Sequence, residues 1–292
     1  MSTTLSIIVN PSAGGGRAKK ALEGVKIALD RRDVTYQVHE TRDLSHARML
    51  AVQASADGHL AGALGGDGLV GAVAAGCAEG GGVMAILPGG RGNDLARVLE
   101  IPTAPDEAVG VALDGQERRM DLGDGNGVPF CCIASCGFDS DANRIANETR
   151  IPGAASYLYA AIKAVLGWKT AVFTITADGV EQTLEGFSVI AANSKAYGGG
   201  MFIAPDADVT DGLLDLVTIA GTSRLRFLGL LPTVFKGNHV GLRDVTVSRA
   251  EKIEIKADRP FTVYADGDPL CELPAVISVR KDAVRIMLPA PK

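Results

Sequence analysis

The chain contains no uninterrupted apolar run of about 18 residues, the length that a membrane-spanning helix requires. Its start, MSTTLSIIVN, lacks the basic stretch and apolar core of a secretion signal. The expectation is a cytoplasmic protein that at most touches a membrane surface. Cysteine is sparse and odd in number: Cys77, Cys131, Cys132, Cys136 and Cys271. The CCxxxC at 131–136 has no zinc spacing and no histidine nearby, so it reads as small apolar residues on a buried strand and the turn after it. Positive charge is not in excess. A net charge of −5 argues against nucleic acid as a partner, while leaving room for a local basic patch facing phosphate or an anionic membrane. Two common nucleotide signatures are also missing. There is no GxxxxGK[ST], and Asn10–Arg17 lacks the Lys-Ser/Thr pair of a P-loop; no GxGxxG follows the first strand-like run.

What is present is an ordinary globular composition over 292 residues, a length that favours two domains. The first half alternates short strand-like runs with helical patterns. Leu5–Val9, Val34–Val38, His59–Leu64 and Val83–Leu87 read as strands. Ala18–Asp30, Asp43–Ala56, Leu69–Ala78 and Asn93–Leu99 read as helices. This alternation predicts a parallel sheet, whose ligands collect at the carboxyl ends of the strands. After about Asp121 the pattern changes. Ala171–Ala177, Phe187–Ala192, Leu214–Ile219, Lys252–Lys256 and Phe261–Tyr264 look like strands, with turns at Asp178-Gly179 and Asp266-Gly267. Helical stretches at Ser156–Trp168 and Leu225–Phe235 interrupt a mostly antiparallel β region.

Three glycine clusters fall at successive strand ends: residues 14–16, 65–68 and 89–92. Such turns free backbone N–H groups for an anion, and the following helix adds its positive dipole end. Tight turns also need glycine for themselves, so each cluster alone is weak. Arg17, Lys19 and Lys20 add charge beside the first, or simply solvate a helix face. Asp67, between glycines, is placed to reach a nucleotide-bound Mg²⁺; a helix cap is the ordinary reading. Asn93 and Asp94 would equally serve as N-cap and first-turn acid of a helix.

NPSAGGG at 10–16, GGDG at 65–68, PGGRGNDLAR at 88–97, DVTDGLLDL at 208–216 and YADGD at 264–268 occur in the order of the diacylglycerol kinase catalytic family. Over nearly its whole length the chain resembles the bacterial soluble lipid kinases of that family, relatives of sphingosine and ceramide kinases. The resemblance implies an α/β nucleotide-binding domain at 1–122, rejoined by a last strand at 283–292, and an antiparallel β-sandwich lipid domain at 123–282, with the active site in the cleft between them. It implies ATP and Mg²⁺ as cofactors. Asn10, Pro11, Ser12, Gly14, Arg17, Thr41, Gly65, Gly66, Asp67, Gly68, Gly90, Arg91 and Asn93 would bind the nucleotide. Asp208, Asp211 and the backbone of Leu213 resemble a structural Mg²⁺ site, and Asp121 matches an acid in a charged network. Asp266 and Asp268 are the candidates for general base, one acting and the other orienting it or holding metal, with Asp67 completing the catalytic set.

The chain departs from the family pattern. Leu69-Val70-Gly71-Ala72 stands where Thr-Ile/Leu-Asn-Glu is usual, Arg91 replaces a threonine, and Asp268 replaces a glutamate. Backbone donors survive these changes, and Arg91 offers a charge-assisted contact to phosphate in place of a hydroxyl. The helical stretches 156–168 and 224–235 set basic residues beside Leu, Phe and Trp, a pattern that suits either ordinary core helices or an anionic membrane interface. No role follows for His239 or for the glycines at 198–200. The reading is an ATP- and Mg-dependent kinase of a lipid hydroxyl, most readily diacylglycerol. An NAD kinase-like enzyme and a catalytically silent lipid- or nucleotide-binding module are the alternatives. The sequence leaves the acceptor lipid and the oligomeric state, a homodimer included, undetermined.

Overall fold

A computed structural model describes residues 4–11, 16–149 and 154–290. The chain divides into two compact units, Met1–Leu122 with Lys281–Lys292, and Gly123–Arg280. Unit 1 runs β1 (Leu5–Val9), α1 (Arg17–Arg31), β2 (Tyr36–Glu40), α2 (Leu44–Ala56), β3 (Leu60–Gly65), α3 (Asp67–Gly80), β4 (Val83–Pro88), α4 (Asp94–Val98), α5 (Pro105–Asp114) and most of β5 (Gln116–Gly125). Its sheet is parallel, in the order β4–β3–β1–β2, with the end of the last strand of the chain beside β4 through Arg285↔Val83.

Each element follows from local chemistry. The LSIIV of β1 is wholly buried, as a central parallel strand requires. In α1, Leu22, Val25 and Leu29 recur at helical spacing and face the sheet. Asp43 caps α2, its Oδ1 accepting from His46 N at 2.7 Å. The small residues of α3 let it lie close on α2: a Cβ on Gly76 would stand 2.4 Å from the Arg48 carbonyl oxygen and 2.7 Å from the Ala51 Cβ.

Unit 2 contains β6 (Val128–Phe130), β7 (Ile133–Gly137), α6 (Phe138–Glu148), α7 (Ala154–Gly167), β8 (Ala171–Ala177), β9 (Val180–Ala192), β10 (Leu214–Ala220), α8 (Arg224–Leu230), β11 (Val245–Ala250), β12 (Lys252–Ala257), β13 (Thr262–Ala265), β14 (Asp268–Glu272) and the start of β15 (Ala275–Leu288). The strand pairings within this unit are antiparallel. The first half of β9 pairs with β8, and its second half lies between β7 and β10. The core is aromatic. Phe187 stacks on Phe227 at 4.1 Å and on Trp168 at 5.6 Å, while Arg259 lies 4.9 Å over Trp168 and 4.2 Å over Phe261. Trp168 is therefore a core residue rather than part of an interface.

Other differences have identifiable causes. The second strand starts at Tyr36 rather than Val34, because Val34 N donates to Leu29 O and completes the turn that ends α1. The helix expected over 225–235 is α8 followed by a 3-10 segment, Leu231–Lys236. Pro232 cannot donate the next α-helical hydrogen bond. Neither α5 nor α6 was expected; the sequence of α6, FDSDANRIANE, is mostly polar, and its apolar stripe is confined to Phe138, Ala142 and Ile145, which pack on the core.

Gly76→Ala should destabilise the protein by about 2 kcal/mol, because overpacking at the α2–α3 contact outweighs alanine's higher helix propensity. The shift of the urea midpoint measures this.

Candidate active site

In unit 1, β1 and β2 end in register at Val9 and Glu40, and β3 and β4 end in register one residue further on, at Gly65 and Pro88. That edge gathers Asn10, Pro11, Thr41, the GGDG turn and the PGGRGND loop. Thr41 is buried and its backbone N–H donates to Val9 O at 2.8 Å. Ser12 and Gly14 lie outside the described residues. Arg17, first in α1, is exposed, as is Arg91.

The two glycine loops are built against each other. Gly89 N donates to Gly65 O at 2.9 Å, and a Cβ on Gly90 would fall 2.3 Å from the Cα of Gly66. Asp67, opening α3, reaches across. Its Oδ1 accepts from Asp94 N at 2.7 Å and approaches Leu95 N at 3.4 Å, so it caps α4 rather than its own helix. Asn93 was expected to be that cap. Instead it adopts φ 50°, accepts from Gly90 N at 2.9 Å and donates to Gly90 O at 3.3 Å, because the donors at the start of α4 are already taken by Asp67. Burial raises the Asp67 carboxyl above its ordinary range, and the Asp94 charge adds to this; the N–H bonds oppose both. A Cβ on Gly92 would lie 2.9 Å from Asp67 Oδ2 and 3.1 Å from Asp94 Oδ2, so that residue must also be small. Leu69, the departure from threonine, is buried against Gly65. Asp121 is buried, with Oδ1 accepting from Asp282 N at 2.7 Å within the same unit.

In unit 2, Asp266 (φ 52°) and Gly267 (φ 97°) form the turn between β13 and β14. Both Asp266 oxygens are directed at backbone: Oδ2 accepts from Cys131 N at 2.7 Å, and Oδ1 from Cys132 N at 2.9 Å and Ile133 N at 3.0 Å. Asp268 is exposed on β14, and partial desolvation raises its carboxyl. Cys131, Cys132 and Cys136 are buried before and on β7 and form no disulfide.

The loop before β10 carries the candidate metal residues. Asp208 Oδ1 accepts from Thr210 N and Oγ1 at 2.9 and 2.7 Å, and Asp211 Oδ1 accepts from Leu213 N at 3.0 Å. The second oxygen of Asp211 faces Arg249 at 3.9 Å. No group of three or more His, Cys, Asp or Glu able to hold a metal occurs among the described residues. The donors here are all oxygen, the chemistry of a hard cation that keeps part of its water shell.

A cavity inside unit 2 is walled by Ile190, Met201, Ile203, Phe227 and Val234, with Asp139 and His239 also on its wall. His239 is buried; its Nε2 bonds to Ile203 O at 2.9 Å, and burial lowers its proton affinity. Burial pushes the Asp139 carboxyl up to about 6. Asp139 belongs to none of the glycine-cluster motifs, although its place just after a strand and a glycine, in Gly137-Phe138-Asp139, resembles that of Asp67.

The diacylglycerol kinase catalytic domain matches residues 4–124, and the YegS C-terminal NAD kinase beta sandwich-like domain matches residues 132–288. Together these define a two-domain lipid kinase architecture. The chain is 36% identical over 294 residues to a protein named "Diacylglycerol kinase" from Mycobacterium tuberculosis (strain ATCC 25618 / H37Rv), covering 98% of this chain and 95% of that one. It is 34% identical over 261 residues to a "Probable lipid kinase YegS-like" of Pseudomonas aeruginosa (strain PAO1), covering 87% and 84%. A crystal structure from Bacillus anthracis str. Sterne, described as a diacylglycerol kinase, shares the fold with a TM-score of 0.74 at 21% identity, over 98% and 97% of the two chains. The chain belongs to the diacylglycerol kinase catalytic-domain family of bacterial lipid kinases, and membership of a kinase family implies ATP use. No helix among the described residues is long and apolar enough to cross a membrane.

Gly90→Ala should cost about 3 kcal/mol or more, since neither backbone can give way without moving both loops; chemical denaturation checks this. Asp139 gives a prediction in pH. The folded chain holds this proton more tightly than the unfolded chain, so ionising Asp139 costs stability as the pH rises through about 6. Asp139→Asn should stabilise the protein at pH 8 by about 2–3 kcal/mol, with the gain fading below about pH 4. Thermal melts of both proteins across that range decide it.

Proposed function

We propose that the chain transfers the γ-phosphoryl group of Mg·ATP to a lipid hydroxyl, with diacylglycerol as the leading acceptor and phosphatidic acid as the product. The observation that carries this reading is the Asp67 cap on α4. It fixes the backbone of GGDG and PGGRGND beside Asn10 and Thr41 at one edge of the parallel sheet. Residues 1–122 with 283–292 then serve the nucleotide, and residues 123–282 the lipid.

The roles divide as follows. Asn10, Pro11, Ser12, Gly14, Arg17, Thr41, the glycines 65, 66, 68 and 90, Arg91 and Asn93 hold the nucleotide. Asp67 fixes the loops through Oδ1, with Oδ2 beside Gly92. Asp208, Asp211 and Leu213 would hold a structural Mg²⁺, whose chemistry there is charge neutralisation of the loop. Asp268 is the general base. Its exposed carboxyl has a raised proton affinity, which brings it nearer the range useful at neutral pH. It takes the acceptor's O–H proton as that oxygen bonds the γ-phosphorus and the bond from phosphorus to the β-bridging oxygen breaks, releasing ADP. Asp266, committed to three backbone N–H groups, positions the hairpin rather than acting as the base.

The test is transfer of labelled γ-phosphate from Mg·ATP to a panel of lipids in mixed micelles. Wild type should form labelled phosphatidic acid, and Asp67→Asn and Asp268→Asn should each lower kcat by about 100-fold or more. Asp268→Asn should leave the melting temperature unchanged. Asp266→Ala should lower stability by about 3 kcal/mol, because three backbone donors lose a charged partner. If no lipid in the panel is labelled while ATP still binds, the chain is a silent binding module. Labelled NADP formed from NAD would identify the NAD kinase-like alternative.

A further inference from the structure

Cys131 and Cys132, between β6 and β7, belong to no strand ladder, yet both are buried. Buried peptide groups outside a ladder must find their partners elsewhere. The two N–H groups donate to the Asp266 carboxylate at 2.7 and 2.9 Å. The two carbonyls turn to Asn193, just past the end of β9. Asn193 Nδ2 donates to Cys131 O at 2.8 Å, and the backbone N–H groups of Asn193 and Ser194 donate to Cys132 O at 2.8 and 3.1 Å. All four backbone polar groups of this dipeptide are therefore held, the donors by a carboxylate and the acceptors by the asparagine and its neighbour. Asn193 is completely buried. An apolar side chain of similar size would be easier to bury there, but it could not donate to Cys131 O.

The other partner of the dipeptide bears on the candidate base. β13 meets β7 over two register pairs, Tyr264↔Ser135 and Ala265↔Ala134. The tip of the β13–β14 hairpin, beyond those pairs, is tied down by the Asp266 carboxylate and by the bond from Asp266 N to Ile133 O at 3.1 Å. Asp268 stands opposite Ala265 across that turn. A shift of residues 131–133 would therefore move Asp266 and, with it, Asp268. We propose that Asn193 is a positioning residue for the phosphoryl transfer: through Cys131 and Cys132 it holds Asp266, and through Asp266 it sets Asp268 against the acceptor hydroxyl. The part in transfer rests on the reading of Asp268 as general base; the hold on the hairpin does not.

Two variants of the full-length chain test this. Asn193→Asp keeps the shape of the side chain and removes the donor while its carboxyl is ionised; Asn193→Ser shortens the side chain. Ile253→Val, in the core of unit 2 on β12, is the control for lost stability. At about pH 8 both Asn193 variants should exchange the amide hydrogens of residues 131–133 and 264–268 about tenfold faster than wild type, and the control should not. In the mixed-micelle assay both should lower kcat about tenfold or more with the KM for Mg·ATP unchanged, because a displaced base costs rate and leaves nucleotide binding intact. The control should keep the wild-type kcat. The ratio of Asn193→Asp to wild-type kcat should recover as the pH falls to about 6, because burial raises the introduced carboxyl and its protonated form again donates to Cys131 O. Wild-type exchange in both variants, wild-type kcat in both, or a kcat ratio that stays flat with pH overturns the proposal. If wild type phosphorylates no lipid, the kinase reading fails. Faster exchange at 264–268 in the variants would then still establish Asn193 as the residue that fixes the hairpin, and unchanged exchange would still refute it.

Discussion

Most of the local architecture at the sheet edge of unit 1 depends on one hydrogen bond of 2.7 Å, from the backbone N–H of Asp94 to the Asp67 carboxylate. It joins two loops 27 residues apart and adds a second carboxylate, beside that of Asp94, at the N-terminus of a five-residue helix. The loops can come that close only because Gly66 and Gly90 have no Cβ. With the α4 donors occupied, Asn93 turns back on Gly90 and closes the loop from the other side. The carboxylate is held at an electrostatic cost, since burial and Asp94 both disfavour its charge. A cation bound beside it would offset that cost.

Unit 2 uses a carboxylate in a similar way. Asp266 sits in a left-handed turn and gathers three successive N–H groups at the entrance to β7, so the β13–β14 hairpin and the strand that it flanks are fixed by one side chain. Two residues on, Asp268 has no such commitment. The pair illustrates how adjacent acids in one motif acquire different properties: one is surrounded by donors, and the other is partly desolvated without them. Behind the strands, the stacked rings of Trp168, Phe187 and Phe227 form the core.

The departures from the family pattern also have a structural account. Leu69 takes the place of a threonine but is buried against Gly65, so the position contributes packing where a hydroxyl is usual. Arg91 is exposed on a loop whose shape depends on Gly90 and Asn93, and an arginine there disturbs neither. Both substitutions leave the Asp67 bond to α4 in place.

The parallel sheet was legible in the sequence, because short apolar runs alternate with helical periodicity and three of the four strands lead into glycine clusters. So was the change to antiparallel strands after Asp121, from its turn signals. The apolar stripe of α6 is only three residues, Phe138, Ala142 and Ile145, in a polar segment, and Pro232 divided a helix that the apolar pattern alone left whole. Sequence by itself placed Asp67 and Asp266 in glycine turns and Asp94 in the first turn of a helix, and motif order singled out Asp67, Asp266 and Asp268 as candidates, since turn chemistry and motif order are local properties. Only the tertiary structure decided that Asp67 caps a distant helix, that Asp266 is committed to backbone while Asp268 is not, and that Asp139 and His239 share a cavity wall. Those outcomes depend on which backbone donors and apolar walls long-range folding brings together, and no local spacing encodes them.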